Sequence, residues 1–244
     1  SVGAHTLTHP MMPELLPNCA FIEVMQNRIE VETAGQTPVV AFNLPYCRFA
    51  SDVDEECPHR LGQILFRSGL MGSSEYWEDM AAKYGLANDQ WCASRNFSIN
   101  DRNPEQSRFD KGVDGAIRDI DAGRFPGGPH FTLGTHSWQH DPDGFEKLKA
   151  IVSARANKPE FWYCNENEFT AARMQALHSR ITKTGVKGAT ATFMIERVMP
   201  FQLGADENLT VRFSEPPVWA AAKPGGNVLC GSRTGGGEGG GTLF

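Results

Sequence analysis

Two histidines, His5 and His9, lie four positions apart in the first ten residues, where the chain reads Gly-Ala-His-Thr-Leu-Thr-His-Pro. On a loop or a single helical turn, two imidazoles at this spacing can face one point. First-row metals such as zinc bind neutral imidazole nitrogens and usually take a third protein ligand. The pair therefore predicts a metal site. The spacing alone is common, and the alternative is two unrelated surface histidines.

The pair also fits a longer motif. His5, Thr6 and His9 match the His-Ser/Thr-x-x-His metal motif of the polysaccharide deacetylase family, the NodB-homology domain of carbohydrate esterase family four, which this segment resembles. Three later segments resemble the family's Arg-Pro-Pro-Tyr-Gly loop, its late strand with the catalytic histidine, and the segment that follows: residues 38–47, 131–140 and 161–168. The resemblance spans residues 1–185 and implies an irregular (β/α) barrel.

The resemblance implies a chemistry as well. The family removes N-acetyl or O-acetyl groups from carbohydrates with a metal-activated water, and zinc is the metal expected here. His5 and His9 would be metal ligands, and the backbone amide of Tyr46 would help to hold the oxyanion. We take Asn43 and Pro45, in the same loop, as substrate-binding residues. The alternative for residues 42–47 is a strand-to-turn junction with a buried tyrosine.

A third histidine, His136, follows an apolar strand. Parallel α/β sheets present functional groups at the carboxyl edge of their strands, so we predict that His136 protonates the leaving amine as a general acid. The alternative is a core histidine bonded to a neighbour. His140 is a second candidate partner for a metal pair with His136, although the Pro142 that follows indicates a turn there. Trp138 is predicted to form a wall for a sugar ring or an acyl methyl, or else to be a packing tryptophan.

The sequence departs from the family's pattern at its N-terminal end. Family members carry Thr-Phe-Asp-Asp-Gly upstream of the histidine motif, and these aspartates supply the general base and the third metal ligand. Here no aspartate precedes Asp52, and Asn43 stands where the family has the arginine that orients the catalytic aspartate. We therefore expect that the sequence begins partway through a domain, without the first strand of the barrel. The alternative is that Asp52 or Asp54 substitutes as the third ligand.

Composition limits the class of protein. The chain has 244 residues, of which 40% are hydrophobic and 21% charged, which is typical of a globular domain. The net charge of -6 and the lack of a Lys/Arg-rich run argue against a nucleic-acid partner. No apolar stretch approaches the ~20 residues of a membrane span, and no signal peptide is visible. The six cysteines have no C-x-x-C pair and are predicted to be mostly buried thiols, with one or two disulfides left open.

Hydrophobic periodicity predicts alternating helices and short strands. The predicted helices cover residues 14–32, 57–68, 75–84, 112–122, 142–154 and 168–182. The predicted strands cover residues 39–42, 131–133 and 161–163, with β-like segments at 189–195, 209–213 and 228–229. This order indicates an α/β chain with a parallel sheet over residues 1–185, a small β-rich appendage over 186–230 and a flexible Gly-rich tail over 231–244.

The sequence thus favours a metal-dependent hydrolase that deacetylates a carbohydrate. Two alternatives remain open: a hydrolase of a small non-sugar amide on the same fold, and a carbohydrate-binding pseudoenzyme that keeps the histidines but lacks the base. The expected partner is an acetylated carbohydrate or a small amide, and a homo-oligomer is left open. The resemblance favours an extracellular or periplasmic location and leaves a cytoplasmic one open.

Overall fold

The structure is a computed structural model of the 244-residue chain. It describes residues 2–73, 86, 90–93, 95–98, 105–122, 130–134, 142–155, 158, 162–205, 207, 221–222 and 229–230. The chain divides into two compact units, residues 1–204 and 205–244. The predicted domain boundary after residue 185 therefore falls inside the first unit.

The described helices are α1 (Pro17–Gly35), α2 (Cys57–Arg67), α3 (Gln106–Asp121), α4 (Pro142–Ser153) and α5 (Glu166–Leu177). The described strands of the first unit are β1 (Ala41–Phe42), β2 (Gly72–Ser73), β3 (Cys92–Ala93), β4 (Arg95–Ser98), β5 (Phe131–Gly134), β6 (Arg180–Lys187) and β7 (Thr190–Glu196). In the second unit, β8 (Ala221–Ala222) and β9 (Leu229–Cys230) pair antiparallel. Among the helices described, none is long and apolar enough to cross a membrane.

The strands form small sheets. β1, β2 and β3 make a parallel sheet in that order, and β4 pairs parallel with β5. β6 and β7 form an antiparallel hairpin. Ala4 adds a parallel bridge to Phe42, on the side of β1 that does not face β2. The described residues are thus mixed α/β, and the (β/α) barrel stays a prediction.

Helices pack on the parallel sheet through apolar side chains. Val24 of α1 and Leu61 and Leu65 of α2 are buried in one cluster with Phe42 of β1. Helix α5 approaches the sheet closely at Gly72, where a Cβ would lie 2.4 Å from Oγ1 of Thr170 and 2.8 Å from the Cys92 carbonyl oxygen. A side chain at this position would force the helix or the neighbouring strand to move.

Several predicted elements are confirmed. The helices over residues 57–68 and 142–154 agree with α2 and α4 to within one residue, and the strands at 39–42 and 131–133 overlap β1 and β5. Helix α5 begins at Glu166, and Asn165 and Glu168 form a reciprocal capping box at its start. The helix predicted over 112–122 exists, but it begins earlier, at Gln106. The predicted helix over 75–84 and the β-like segment 209–213 lie outside the described residues.

The inward face of α1 was predicted wrongly. Cys19, Ile22 and Ile29, which periodicity places on the core side, are exposed, whereas Ala20 and Val24 are buried. The helix carries apolar residues around most of its circumference, so its periodicity does not single out the buried stripe. Contact with the sheet and α2 decides the face.

Two predictions near α5 are also corrected. The helix predicted over 168–182 ends at Leu177, because the β-branched residues that follow it form β6. Trp162 and Tyr163, predicted as strand core, have no regular structure and are about half exposed. The Tyr163 hydroxyl donates a hydrogen bond to the carbonyl of Arg155, just after α4, which holds Tyr163 at the surface.

Candidate metal centre

The histidine motif lies at the carboxyl edge of the parallel sheet. The Ala4 amide donates to the Ala41 carbonyl at 3.0 Å, and the Asn43 amide donates to the Ala4 carbonyl at 2.9 Å. These two bonds align Ala4 with β1 as a one-residue strand. His5 and Asn43, the residues that follow, therefore leave the sheet side by side, at the edge where parallel sheets present functional groups.

The structure brings the two predicted ligands together. The ring centroids of His5 and His9 are 4.9 Å apart, and the ring planes make an angle of 67°. Nδ1 of His5 lies 2.8 Å from the carbonyl oxygen of Asn43. Because a carbonyl oxygen only accepts, this contact assigns the proton to Nδ1 and leaves Nε2 as the lone-pair nitrogen. Metal-binding histidines are held by the same kind of bond, which fixes both the tautomer and the ring orientation.

Tyr46 forms one wall of the histidine pair. It lies in the short 3-10 turn Pro45–Cys47, and its ring packs edge-on against His9 at a centroid distance of 4.7 Å. The Tyr46 side chain is exposed, so the alternative of a buried tyrosine in this loop is wrong. Pro45 is buried, whereas Asn43 is exposed and reaches the site through its carbonyl oxygen.

The backbone around the site is strained. Thr6, His9, Tyr46 and Cys47 all have positive φ, at 69°, 59°, 61° and 50°. Left-handed conformations cost non-glycine residues on the order of 1–3 kcal/mol each, and they persist only where the surroundings determine them. Such residues cluster at ligand sites, and here they occupy the two segments that carry the histidines and the tyrosine.

Helix α1 holds the histidine loop in place. The Glu23 carboxylate accepts hydrogen bonds from the amides of Leu7 and Thr8, at 3.0 and 2.8 Å, and from the Thr8 hydroxyl at 2.7 Å. One helical turn further on, Oδ1 of Asn27 accepts from the His5 amide at 2.9 Å. The sequence does not single out Glu23 or Asn27, because a helical pattern does not show which loop its polar residues meet. The one available signal was their i, i+4 spacing on a single helix face.

The buried side-chain amide of Asn167, on α5, holds the start of β1 by hydrogen bonds. Oδ1 of Asn167 accepts from the amides of Val40 and Ala41, at 2.7 and 3.0 Å, and Nδ2 donates to the Pro38 carbonyl at 2.8 Å. The side chain pairs with three backbone groups at or just before the start of the strand, and two of these, the amides of Val40 and Ala41, belong to buried residues. Asn167 thus fixes the strand that carries Asn43 to the site.

The two aspartates considered as third ligands are both paired with arginines. Asp52 is exposed and lies 3.2 Å from Arg48, and Asp54 accepts a hydrogen bond from Arg60, which lowers the pKa of that carboxyl. Within the part of the chain that the structure describes, no three His, Cys, Asp or Glu side chains converge on one point. Neither aspartate therefore completes a three-ligand group with His5 and His9.

The remaining predicted site residues belong to another segment. His136, Trp138 and His140 lie outside the described residues, so their predicted roles stay predictions. The prediction of mostly buried thiols holds for Cys57 and Cys92 but not for the exposed Cys19 and Cys47. Cys19 and Cys57 are free thiols, and Cys164 is partly buried.

A buried histidine, His130, was not singled out from the sequence. It lies just before β5 and stacks on Phe169 of α5, with ring centroids 3.9 Å apart and planes within 10°. Its Nδ1 is buried and has no hydrogen-bond partner among the described residues. Burial lowers the pKa of its imidazole to about 4. A neutral histidine packed on a phenylalanine behaves as a core aromatic residue.

Comparison with known proteins found no match among protein-family models, curated proteins or solved structures. The resemblance to polysaccharide deacetylases therefore rests on the residues quoted above, and it stays a prediction.

Proposed function

We propose that this protein is a metal-dependent hydrolase that removes N-acetyl or O-acetyl groups from a carbohydrate. The observation that supports this most is the oriented histidine pair. His5 and His9 meet at the carboxyl edge of a parallel sheet, and the Asn43 carbonyl fixes the tautomer of His5. The motif resemblance supplies the substrate class.

The residues present fit a metal ion such as zinc. Two nitrogens that each lie about 2.0–2.1 Å from a tetrahedral zinc are about 3.3 Å apart. The ring centroids of His5 and His9 are 4.9 Å apart, which is close enough for both imidazoles to reach one ion. The two histidines supply two ligands, and a third ligand would come from outside the described group.

The metal, when bound, would polarise the acetyl carbonyl and lower the pKa of a bound water. The residues of the chain supply the rest of the proposed reaction. His5 and His9 would hold the ion, the Tyr46 amide would face the oxyanion, and His136 would give a proton to the leaving nitrogen or oxygen. Water would add its oxygen to the acetyl carbon and release its protons to solvent, while the bond to the sugar nitrogen or oxygen breaks and the leaving atom takes the proton from His136. Acetate and the deacetylated sugar would then leave.

Acetate release tests this proposal. We expect the zinc-loaded chain to release acetate from an N-acetylated or O-acetylated oligosaccharide, and His9→Ala to remove this activity. His136→Ala should lower kcat by about 10²–10⁴-fold, as is typical for loss of a general acid. His59→Ala is the matched control, because His59 is an exposed histidine on α2.

Two results would contradict the proposal. Release of acetate from a small amide but from no oligosaccharide would favour the small-amide hydrolase. Binding of the oligosaccharide without turnover, with zinc present and with His9→Ala binding equally well, would favour the non-catalytic carbohydrate-binding protein.

A further inference from the structure

We infer that Glu23 of α1 is a positioning residue, whose carboxylate sets the separation of the His5 and His9 imidazoles. This inference rests on the proposed function insofar as the two histidines hold a metal. Glu23 lies outside the motif that carries the resemblance, and it reaches the site only through the fold.

The carboxylate holds the middle of the loop. Oε2 of Glu23 accepts from the amides of both Leu7 and Thr8, and Oε1 accepts from the Thr8 hydroxyl. The Leu7 amide also lies 3.1 Å from the backbone carbonyl of Glu23. Both carboxylate oxygens are thus directed at loop donors, which makes Glu23 a support of the loop and not a metal ligand.

The ends of the loop are fixed by other groups. His5 is held by the Ala4 bridge and by Asn27, and the His9 amide donates to Oγ1 of Thr6 at 3.2 Å. Leu7 and Thr8, between them, are held by Glu23. Because Thr6 and His9 both have positive φ, the loop needs an external support to keep its shape. Hydrogen bonds to an ionised carboxylate are roughly twice as strong as neutral ones, which suits Glu23 to this task.

Loss of the carboxylate should therefore change the geometry of the histidine pair. Without it, the middle of the loop is free to relax, and Thr6 and His9 can return to ordinary backbone conformations. The two imidazoles would then no longer be held at their present separation. Second-shell groups of this kind typically alter metal affinity by about 10–100-fold.

Cobalt binding by the 244-residue chain tests the inference. Titration with Co²⁺ alone gives the affinity, and the visible absorption of the bound ion reports its ligand geometry. We expect Glu23→Ala to weaken Co²⁺ binding by about 10–100-fold and to change the visible spectrum. Glu23→Gln should restore most of the affinity, because the amide oxygen can accept from both backbone amides while the amide nitrogen donates to Thr8 Oγ1. Glu30→Ala is the matched control, since Glu30 is an exposed residue of the same helix that bonds only Gln26 among the described contacts.

The outcomes separate this inference from the proposed function. Unchanged affinity and spectrum in Glu23→Ala would overturn the role of Glu23, even if wild type binds the metal. If wild type binds no Co²⁺, the proposed function fails, and amide hydrogen exchange then decides the inference. Faster exchange of the Leu7 and Thr8 amides in Glu23→Ala than in wild type and Glu30→Ala would support it. Equal exchange in the three proteins would overturn it. Should Glu23→Ala not fold, Glu23→Asp shortens the side chain by one methylene and draws the carboxylate away from the loop donors. Co²⁺ affinity and spectrum equal to wild type in that variant would contradict the inference.

Discussion

The loop that carries His5 and His9 and the hairpin formed by β6 and β7 are stabilised in opposite ways. The hairpin has regular antiparallel pairing, yet all eight residues of β6 and six of the seven in β7 are exposed. The histidine loop has no regular structure and two residues with positive φ, yet helix α1 and strand β1 hold it through specific hydrogen bonds.

The difference shows which of the two regions depends on tertiary contacts for its conformation. The hairpin satisfies its backbone groups internally and places its apolar side chains at the surface. The loop adopts conformations that its own residues disfavour, and it keeps them because Glu23, Asn27 and Ala41 supply partners from elsewhere in the fold. Strain held by tertiary contacts is typical of functional sites, and that pattern supports the histidine loop as the site.

The largest contrast should appear when an apolar side chain is shortened in each region. Leu65 of α2 is fully buried in the cluster beneath β1, whereas Ile181 of β6 is 51% exposed. We expect Leu65→Ala to reduce the free energy of unfolding by about 3–4 kcal/mol, from lost burial plus a cavity. Ile181→Ala should reduce it by less than about 1 kcal/mol.

Urea unfolding followed by circular dichroism measures both variants. Equal losses of stability for the two substitutions would show that the hairpin is as well packed as the sheet, and the comparison would fail.

The next contrast concerns pH. The imidazole of His130, stacked on Phe169 of α5, has its pKa lowered by burial from 6.5 to about 4. The unfolded chain takes up this proton below about pH 6.5, but the folded chain does so only near pH 4. The free energy of unfolding is therefore not reduced by this group above pH 6.5. It falls as the pH drops from 6.5 towards 4, by up to about 3 kcal/mol.

His130→Phe keeps an aromatic ring on Phe169 and removes the titration. Its stability should fall less than that of wild type between pH 6.5 and pH 4, as measured by denaturant unfolding at a series of pH values. Parallel stability curves for the two proteins would contradict the burial of a neutral imidazole.

The smallest contrast compares two glycines in strands. At Gly72 a Cβ would meet Thr170 and the Cys92 carbonyl at less than 3 Å, whereas at Gly185 in β6 it would meet nothing within 4 Å. Gly72→Ala should cost about 2 kcal/mol through overpacking against α5. Gly185→Ala should change stability by less than about 0.5 kcal/mol. Thermal melts of the two variants measure both effects. A melting temperature of Gly72→Ala equal to that of wild type would mean that α5 is not packed against the sheet as closely as described.

Sequence alone predicted the elements whose pattern is unambiguous. Helix α2 has a clear amphipathic stripe through Leu61 and Leu65, and its bounds were predicted to within one residue. Helix α1 was found, but its buried face was not, because Ile22 and Ile29 are apolar residues that face solvent. The strand β6 was missed, although its β-branched residues signalled it, because the helical periodicity of α5 was extended past its end.

The candidate site was predictable only in part. The spacing of His5 and His9 predicted that they would meet, and the resemblance implied that Tyr46, from a separate segment, would lie at the same site. Glu23 and Asn167 were not foreseen, because each acts on backbone groups that are distant in the sequence: Glu23 lies 15 residues from Thr8, and Asn167 lies 127 residues from Val40. Motifs record side chains that do chemistry, whereas the groups that position them depend on the fold.

Metal content per chain tests the central claim most directly. Purified wild type, His9→Ala and His59→Ala would be loaded with zinc or cobalt, freed of excess metal and measured by elemental analysis. We predict about one ion per chain in wild type and in His59→Ala, and a loss of the ion in His9→Ala. No metal in wild type, or equal metal in all three proteins, would contradict a site built on His5 and His9.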